Sequence, residues 1–272
     1  MSDALRPVDV VRVRGGTRVT SPDQAATEEP LEVRLHDRPF AVIMRTPGAD
    51  RELAAGFLLS EQVIKGSDDL GTMAHCTDPG AEHRENIVNV TLVDGSAEAI
   101  DRLIAGRRHV TTNSACGMCG RRTIESLAAG VAPITSAWTV PASAIVALPA
   151  RLRMRQAVFD ETGGLHAAGL FTREGDLLDV AEDVGRHNAV DKIVGRMLMR
   201  AALPLSNHLL CVSGRTSFEI VQKAIVAGIP IVAAVSAPSS LAIELAREFG
   251  VTLVGFIRGD GFNIYAHAER IT

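Results

Sequence analysis

The residues with the plainest chemistry are two nearby thiols, Cys116-Gly-Met-Cys119, set in the segment from Thr111 to Leu127. Asn113 or Ser114 can cap a following helix, which puts Cys116 in its first turn. Free amides and the helix dipole there favour a thiolate, and Arg121 and Arg122 add positive charge. Gly117 and Gly120 leave room for a second sulfur centre to approach. Such a thiolate suits sulfur transfer: it attacks a persulfide donor, holds the outer sulfur and passes it on. Other readings compete. A zinc half-site needs two more ligands, which His75-Cys76 could supply, but the chain has no second CxxC or HxxxH. A dithiol redox centre belongs after a strand in a thioredoxin-like unit, and the preceding residues fit that poorly. The plainest alternative is a pair of small residues in a glycine turn. The reactive thiol is the strongest of these readings.

A second constellation lies in the C-terminal half. Three apolar runs each lead into small residues: Ser213-Gly-Arg-Thr-Ser217, Ser236-Ala-Pro-Ser-Ser240 and Arg258-Gly-Asp-Gly261. The first two loops open helices, where hydroxyls and free amides can hold an anion, and Arg215 and Arg258 can neutralise phosphates. Helix capping by Ser and Thr explains either loop alone. Three at the carboxyl ends of strands also fit a ligand bearing phosphates. A third constellation joins Thr162-Gly-Gly-Leu-His166 to Glu182-Asp-Val-Gly-Arg-His-Asn-Ala-Val-Asp-Lys192. In the latter, His187 and Asp191 lie one helical turn apart, as do Asn188 and Lys192. A solvated helix face and a ligand-facing rim at Glu182 and Asp183 explain this pattern equally well. His166 alone reads as a hydrogen-bonded interior histidine.

The elements that must position these groups follow from periodicity. Residues 1–28 read as a loose arm or edge strand. Residues 31–35 and 41–44 read as a hairpin around His36–Pro39, with a helix over 51–60 capped by Asp50 and a strand over 86–93. A stretch rich in Ala, Pro, Ser and Thr, 128–143, reads as a linker. Beyond it the pattern predicts a helix over 144–159, a hairpin of 165–172 with 177–182, and a helix over 186–202. Buried strands at 209–212, 231–235 and 251–256 follow, the last two each preceded by a helix. The expectation is an α/β chain, α+β overall: a small α+β domain over 1–130 and an α/β domain over 131–272, its sheet lying between helices.

Composition bounds the function. The 272 residues are 46% hydrophobic and 22% charged, as in a well-packed globular protein, and 28 Lys and Arg against 32 Asp and Glu leave −4. No global basic field favours nucleic acid or an anionic membrane. The longest apolar run, Ala224–Val235, falls well short of the ~20 residues a bilayer span needs. No leader is evident at the start, so a cytoplasmic protein with reduced thiols is expected. Four cysteines are too few for a disulfide framework; Cys211 reads as a small buried hydrophobe and Cys76 as exposed or half-buried.

The motifs together resemble the FdhD family of formate dehydrogenase accessory proteins. The resemblance rests on Cys116-Gly-Met-Cys119-Gly, Thr162-Gly-Gly-Leu-His-Ala-Ala, Glu182–Lys192, Ser213–Ser217, Val235–Ser240 and the segment from Phe256, in family order over about Leu31 to Arg270. It implies a cytidine-deaminase-like, three-layer α/β C-terminal domain and a homodimer. It also implies a sulfur carrier: a cysteine desulfurase donates persulfide sulfur to Cys116, with Cys119 its partner. The sulfur then passes to the molybdenum of bis(molybdopterin guanine dinucleotide), bound as cargo, for the formate dehydrogenase apoenzyme. Cys119 either relays the sulfur or releases it by forming a disulfide. The cofactor-contacting segment is Phe256, Ile257, Arg258, Gly259, Asp260 and Gly261, although Asp260 offsets Arg258 where a more basic loop is expected. The other loops add Thr162, Gly163, Gly164, His166, Arg186, His187, Ser213, Gly214, Arg215, Ser236 and Ser239. No tightly held catalytic metal is expected. Deamination is rejected on chemistry, because His166-Ala-Ala lacks the glutamate of an H-x-E segment and no proline precedes either cysteine. The rival functions are a cofactor chaperone whose cysteines merely aid docking and a zinc-stapled regulatory protein.

Overall fold

Alternation along the C-terminal strands decides how this chain is layered. A computed structural model describes residues 4–93, 95, 100–101 and 131–272. Its largest sheet has six strands in the order β12-β11-β10-β9-β7-β8. These are β7 (His166–Phe171), β8 (Leu177–Asp183), β9 (Leu209–Val212), β10 (Ile231–Ala234), β11 (Thr252–Arg258) and β12 (Gly261–Ala266). β9, β10 and β11 run parallel, while β7 and β12 lie antiparallel on either side. Leu209, Cys211, Ile231 and Ala233 face helix α2 (Ala142–Arg153) through Ile145, Leu148 and Leu152. Their neighbours Leu210, Val212, Val232 and Ala234 face the opposite layer. That layer holds α4 (Arg186–Met199), α5 (Phe218–Ala227) and α6 (Ser240–Glu248). Because every residue of β9 and β10 is buried, their sequences are continuously apolar, and the result is a three-layer α/β/α arrangement.

The N-terminal half builds a second sheet in the order β4-β3-β6-β5. β3 (Glu29–Leu35) and β4 (Arg38–Arg45) form the expected hairpin, turning at His36 and Asp37, both with positive φ. β6 (Ile87–Leu92) pairs parallel with β3, and β5 (Leu70–His75) pairs antiparallel with β6. α1 (Asp50–Ser60) crosses from this half onto α4 with almost no space between the backbones. A Cβ on Gly195 would stand 1.8 Å from the Glu52 carbonyl oxygen, and one on Gly56 2.0 Å from that of Asp191. Glycine is required at both positions by close approach. Leu53, Leu58, Val190 and Val194 therefore belong to one continuous core.

Four expectations need correction. The first residues form a long hairpin, β1 (Leu5–Arg14) with β2 (Thr17–Ala26), turning at Gly15-Gly16 with φ of 54° and 82°. Asp50 does not cap α1: Ala49 takes that position, and the Asp50 carboxylate instead accepts from Arg45 Nε and Nη2 at 3.0 and 2.9 Å. The helix over 144–159 is two helices, α2 and α3 (Ala157–Thr162), because the chain turns at Met154-Arg155 and Glu182 caps the new start. From residue 131 the expected linker is fastened to the larger sheet's layer, with Ile134 N–H donating to Phe249 O and Trp138 Nε1 to Ser206 O. Among the described residues no helix is long and apolar enough to cross a membrane.

Candidate functional site

The parallel strands end on one rim, and backbone bonds stitch their loops together. Val235 donates to Val212 O, Thr216 to Ala237 O, Ser239 to Thr216 O and Phe256 to Ser236 O, all within 3.0–3.3 Å. β7 runs the other way, so its first residue arrives at the same rim. Ala167 N–H donates to Ser213 Oγ at 2.9 Å, and a Cβ on Gly214 would lie 3.2 Å from His166 Nδ1. β8 ends opposite His166 at Asp183. The turn Val184-Gly185 then delivers Arg186 and His187 as the first residues of α4. Thus His166, Arg186, His187, Ser213, Gly214, Arg215, Ser236 and Ser239 share one edge of the sheet.

That edge is cationic at one particular helix end. Gly185 holds the cap position of α4 without a side-chain cap, and the first turn carries no acid. Among the described residues neither Arg186 nor Arg215 forms an ion pair, and the buried Arg186 Nε has no hydrogen-bond partner. Partial burial, then the charges of Arg186 and His187, push the His166 pKa below its ordinary value, which keeps the ring neutral at neutral pH. α5 differs. Its cap residue Ser217 turns its hydroxyl to His187 Nε2 at 3.0 Å, and Glu219 Oε2 stands 3.5 Å from the same nitrogen. The hydrogen bond from His187, opposed by desolvation, holds the Glu219 carboxyl down at about 2. A carboxylate therefore already neutralises the positive end of α5. At α6, Ser239 Oγ accepts from Ala242 N–H as an ordinary cap. The end without a side-chain cap on its first-turn amides is α4's, where the Asp183 carboxylate takes only the N–H of the cap residue Gly185, rather than the two that the loop sequences suggest.

Five polar residues of Glu182–Lys192, namely Glu182, Asp183, Asn188, Asp191 and Lys192, are engaged in internal bonds and form neither a solvated face nor a ligand-facing rim. Glu182 caps α3 through the amides of Val158 and Phe159. Asp183, fully buried, accepts from Thr46 N–H at 3.2 Å, Gly185 N–H at 2.8 Å, Asn188 Nδ2 at 2.8 Å and Lys192 Nζ at 2.7 Å. Desolvation raises its pKa, while Lys192 and these donors oppose the rise. Asp191 takes two 2.7 Å bonds from Lys223 Nζ and one from Ser60 Oγ. Asn188 also donates to Met44 O, so the segment ties the sheet rim to the N-terminal half.

The remaining expected residues border the same rim. Thr162 Oγ1 donates to Val158 O and accepts from Gly164 N–H, and Gly163 ends α3 with φ of 66°. Gly163, Gly164, His166 and Ser213 line a cleft of about 670 Å³ between α2, α3 and the strand ends. Phe256 is exposed with φ of 54°, a strained conformation for a bulky residue. Arg258 lies 5.5 Å from its ring centroid. Ile257 is buried in the α2-side core, and Gly259-Asp260 form the turn into Gly261. A second cavity, about 740 Å³ in the N-terminal half, holds Cys76 and His75 beside Arg45.

Cys116 and Cys119, with their expected helix cap at Asn113 or Ser114, lie outside the described residues. Among the described residues no three His, Cys, Asp or Glu side chains cluster to hold a metal. Cys211 is fully buried, and desolvation pushes its thiol up to about 12. Cys76 is half-buried.

Fold and rim together define an α/β protein with a donor-rich, cationic edge at the carboxyl ends of its parallel strands. The chain belongs to the FdhD/NarQ family, whose model matches residues 26–272. It is 49% identical to the sulfur carrier protein FdhD of Streptomyces avermitilis over 96% of this chain and 94% of that one. The protein of the same name from Sulfolobus acidocaldarius is 43% identical, covering 98% of each chain. A crystal structure assigned to a formate dehydrogenase accessory protein from Desulfotalea psychrophila superposes with a TM-score of 0.77 at 27% identity, covering 99% and 100% of the two chains.

Proposed function

We propose that this chain is a sulfur carrier for formate dehydrogenase maturation, with Cys116 as the atom that carries. Family membership supports this, as do the relatives named for that role. The single structural observation behind the cofactor half is the α4 terminus, whose first turn carries no acid and no side-chain cap, with two arginines that form no ion pair among the described residues. In the donor step the Cys116 thiolate attacks the outer sulfur of a desulfurase persulfide. The sulfur–sulfur bond of the donor breaks, its cysteine leaves as thiolate, and Cys116 becomes the persulfide. Two exits balance. Cys119 thiolate attacks the inner sulfur, forming the Cys116–Cys119 disulfide and freeing hydrosulfide. Alternatively, it attacks the outer sulfur, Cys116 leaves as thiolate and Cys119 becomes the persulfide; Cys116 then attacks the inner sulfur of that persulfide, giving the same disulfide and hydrosulfide. Delivered to the molybdenum of bis(molybdopterin guanine dinucleotide), hydrosulfide with a proton displaces an oxo ligand as water. The rim meets the phosphate-bearing arms of that cargo with Arg186, Arg215 and the free amides of α4.

The test is Cys116→Ala with formate dehydrogenase activity as readout, in cells supplied with molybdate. Sulfur transfer requires activity to vanish while cofactor still copurifies with the variant. Activity retained at the wild-type level overturns the proposal and leaves a cofactor chaperone.

A further inference from the structure

Thr46 binds one corner of the larger sheet with its amide, its hydroxyl and its carbonyl. Its N–H donates to Asp183 Oδ2 at 3.2 Å, its Oγ1 accepts from Val184 N–H at 3.1 Å, and its carbonyl accepts from Lys192 Nζ at 2.9 Å. The residue is buried. It directly follows β4, and Pro47 after it disfavours helical backbone at this position. On its other side Arg45 is held by the Asp50 carboxylate and by Asn86 Oδ1 at 2.8 Å. Thr46 is therefore a fixed point of the N-terminal half, set against the turn Asp183-Val184-Gly185 that opens α4.

That turn carries Arg186. Among the described residues Arg186 forms no ion pair, and its buried Nε has no hydrogen-bond partner, so its direction is set by the backbone that bears it. We propose that Thr46 is a positioning residue for the cationic edge: its hydroxyl pins the Val184 amide, and the pinned turn holds Arg186 beside His166. The N-terminal half thereby aims a group that the larger sheet presents. The use of that edge rests on the function proposed above, whereas the pinning rests on geometry alone. Arg186 and His166 report on each other: burial first, and then the Arg186 charge, lowers the His166 pKa, with His187 and Arg215 adding to the fall and Asp183 opposing it. A guanidinium released from its position would let the His166 value rise.

The test reads two quantities in the purified full chain: the His166 pKa by nuclear magnetic resonance, and GDP affinity by calorimetric titration. Arg186→Ala should raise the His166 pKa and weaken GDP about tenfold, as for one lost charge-assisted hydrogen bond. Thr46→Val keeps the volume but removes the acceptor of the Val184 amide. It should move both readouts in the same directions by smaller steps, and Thr46→Ala should do the same if the valine variant does not fold. Thr46→Ser retains the hydroxyl and should match the wild type. In the Arg186→Ala background Thr46→Val should add almost nothing to either readout. A merely structural tie would lower the urea midpoint yet leave His166 unmoved, or would shift it equally in both backgrounds; either result overturns the inference. If the wild type does not bind GDP, the cofactor reading falls, and the His166 titration still decides the role of Thr46.

Discussion

Replacing Gly195 with alanine should destabilise the protein through the α1–α4 crossing. The added Cβ would meet Glu52 O at 1.8 Å and Gly56 N at 2.6 Å, both backbone atoms that no rotamer change can move. Real Cβ contacts essentially never fall below 3.0 Å, so the helices must separate by at least 3.0 minus 1.8, or 1.2 Å. Opening of that size loosens Leu53, Leu58, Val190 and Val194 together. Overpacking of a rigid core costs about 1–3 kcal/mol or more, while alanine regains only ~1 kcal/mol of helix propensity over glycine. With a backbone contact this short the upper end of that range applies, and the net expectation is a loss of about 2 kcal/mol, read as a lower urea midpoint at unchanged slope. Gly66→Ala is the control, because a Cβ there meets nothing within 4 Å. A Gly195→Ala protein as stable as wild type would refute the close crossing.

Lys223→Met should cost about 3–5 kcal/mol in urea unfolding by leaving Asp191 charged and buried; adding Asp191→Asn should recover part of it. The Glu219 carboxyl sits at about 2 in the fold against an ordinary 4.5. Because the folded value is depressed, its stabilisation is complete above 4.5 and is lost as pH falls from 4.5 toward 2. The 2.5-unit difference sets an upper bound of about 3 kcal/mol, which Glu219→Gln should abolish along with that acid arm of the stability profile. Cys211, with its thiol near 12, should resist iodoacetamide at pH 8 in the native protein and react only on unfolding.

The larger sheet was legible because strands covered on both faces must be apolar throughout, as Leu209–Val212 and Ile231–Ala234 are. β5 was not, since an exposed edge strand such as Leu70–His75 carries no such run. β1 and β2 were blurred by Pro7 and Pro22 and by the absence of a buried face along most of their length. At the site, the loops after β9 and β10 announced themselves through Ser, Gly and Arg. What hydrogen-bond competition decides was invisible: Glu182 spends its carboxylate on α3, Asp183 on Lys192 and the Thr46 amide, and Glu219 on His187. These partners lie far apart in the chain or depend on which helix end a side chain reaches.

The carrier role of Cys116 is tested most directly by intact-mass spectrometry after incubation with a cysteine desulfurase and cysteine. The account predicts a gain of one sulfur, removed by reductant, mapping to Cys116 and absent from Cys116→Ala. No added sulfur on the wild type, or the same gain on Cys116→Ala, would contradict it.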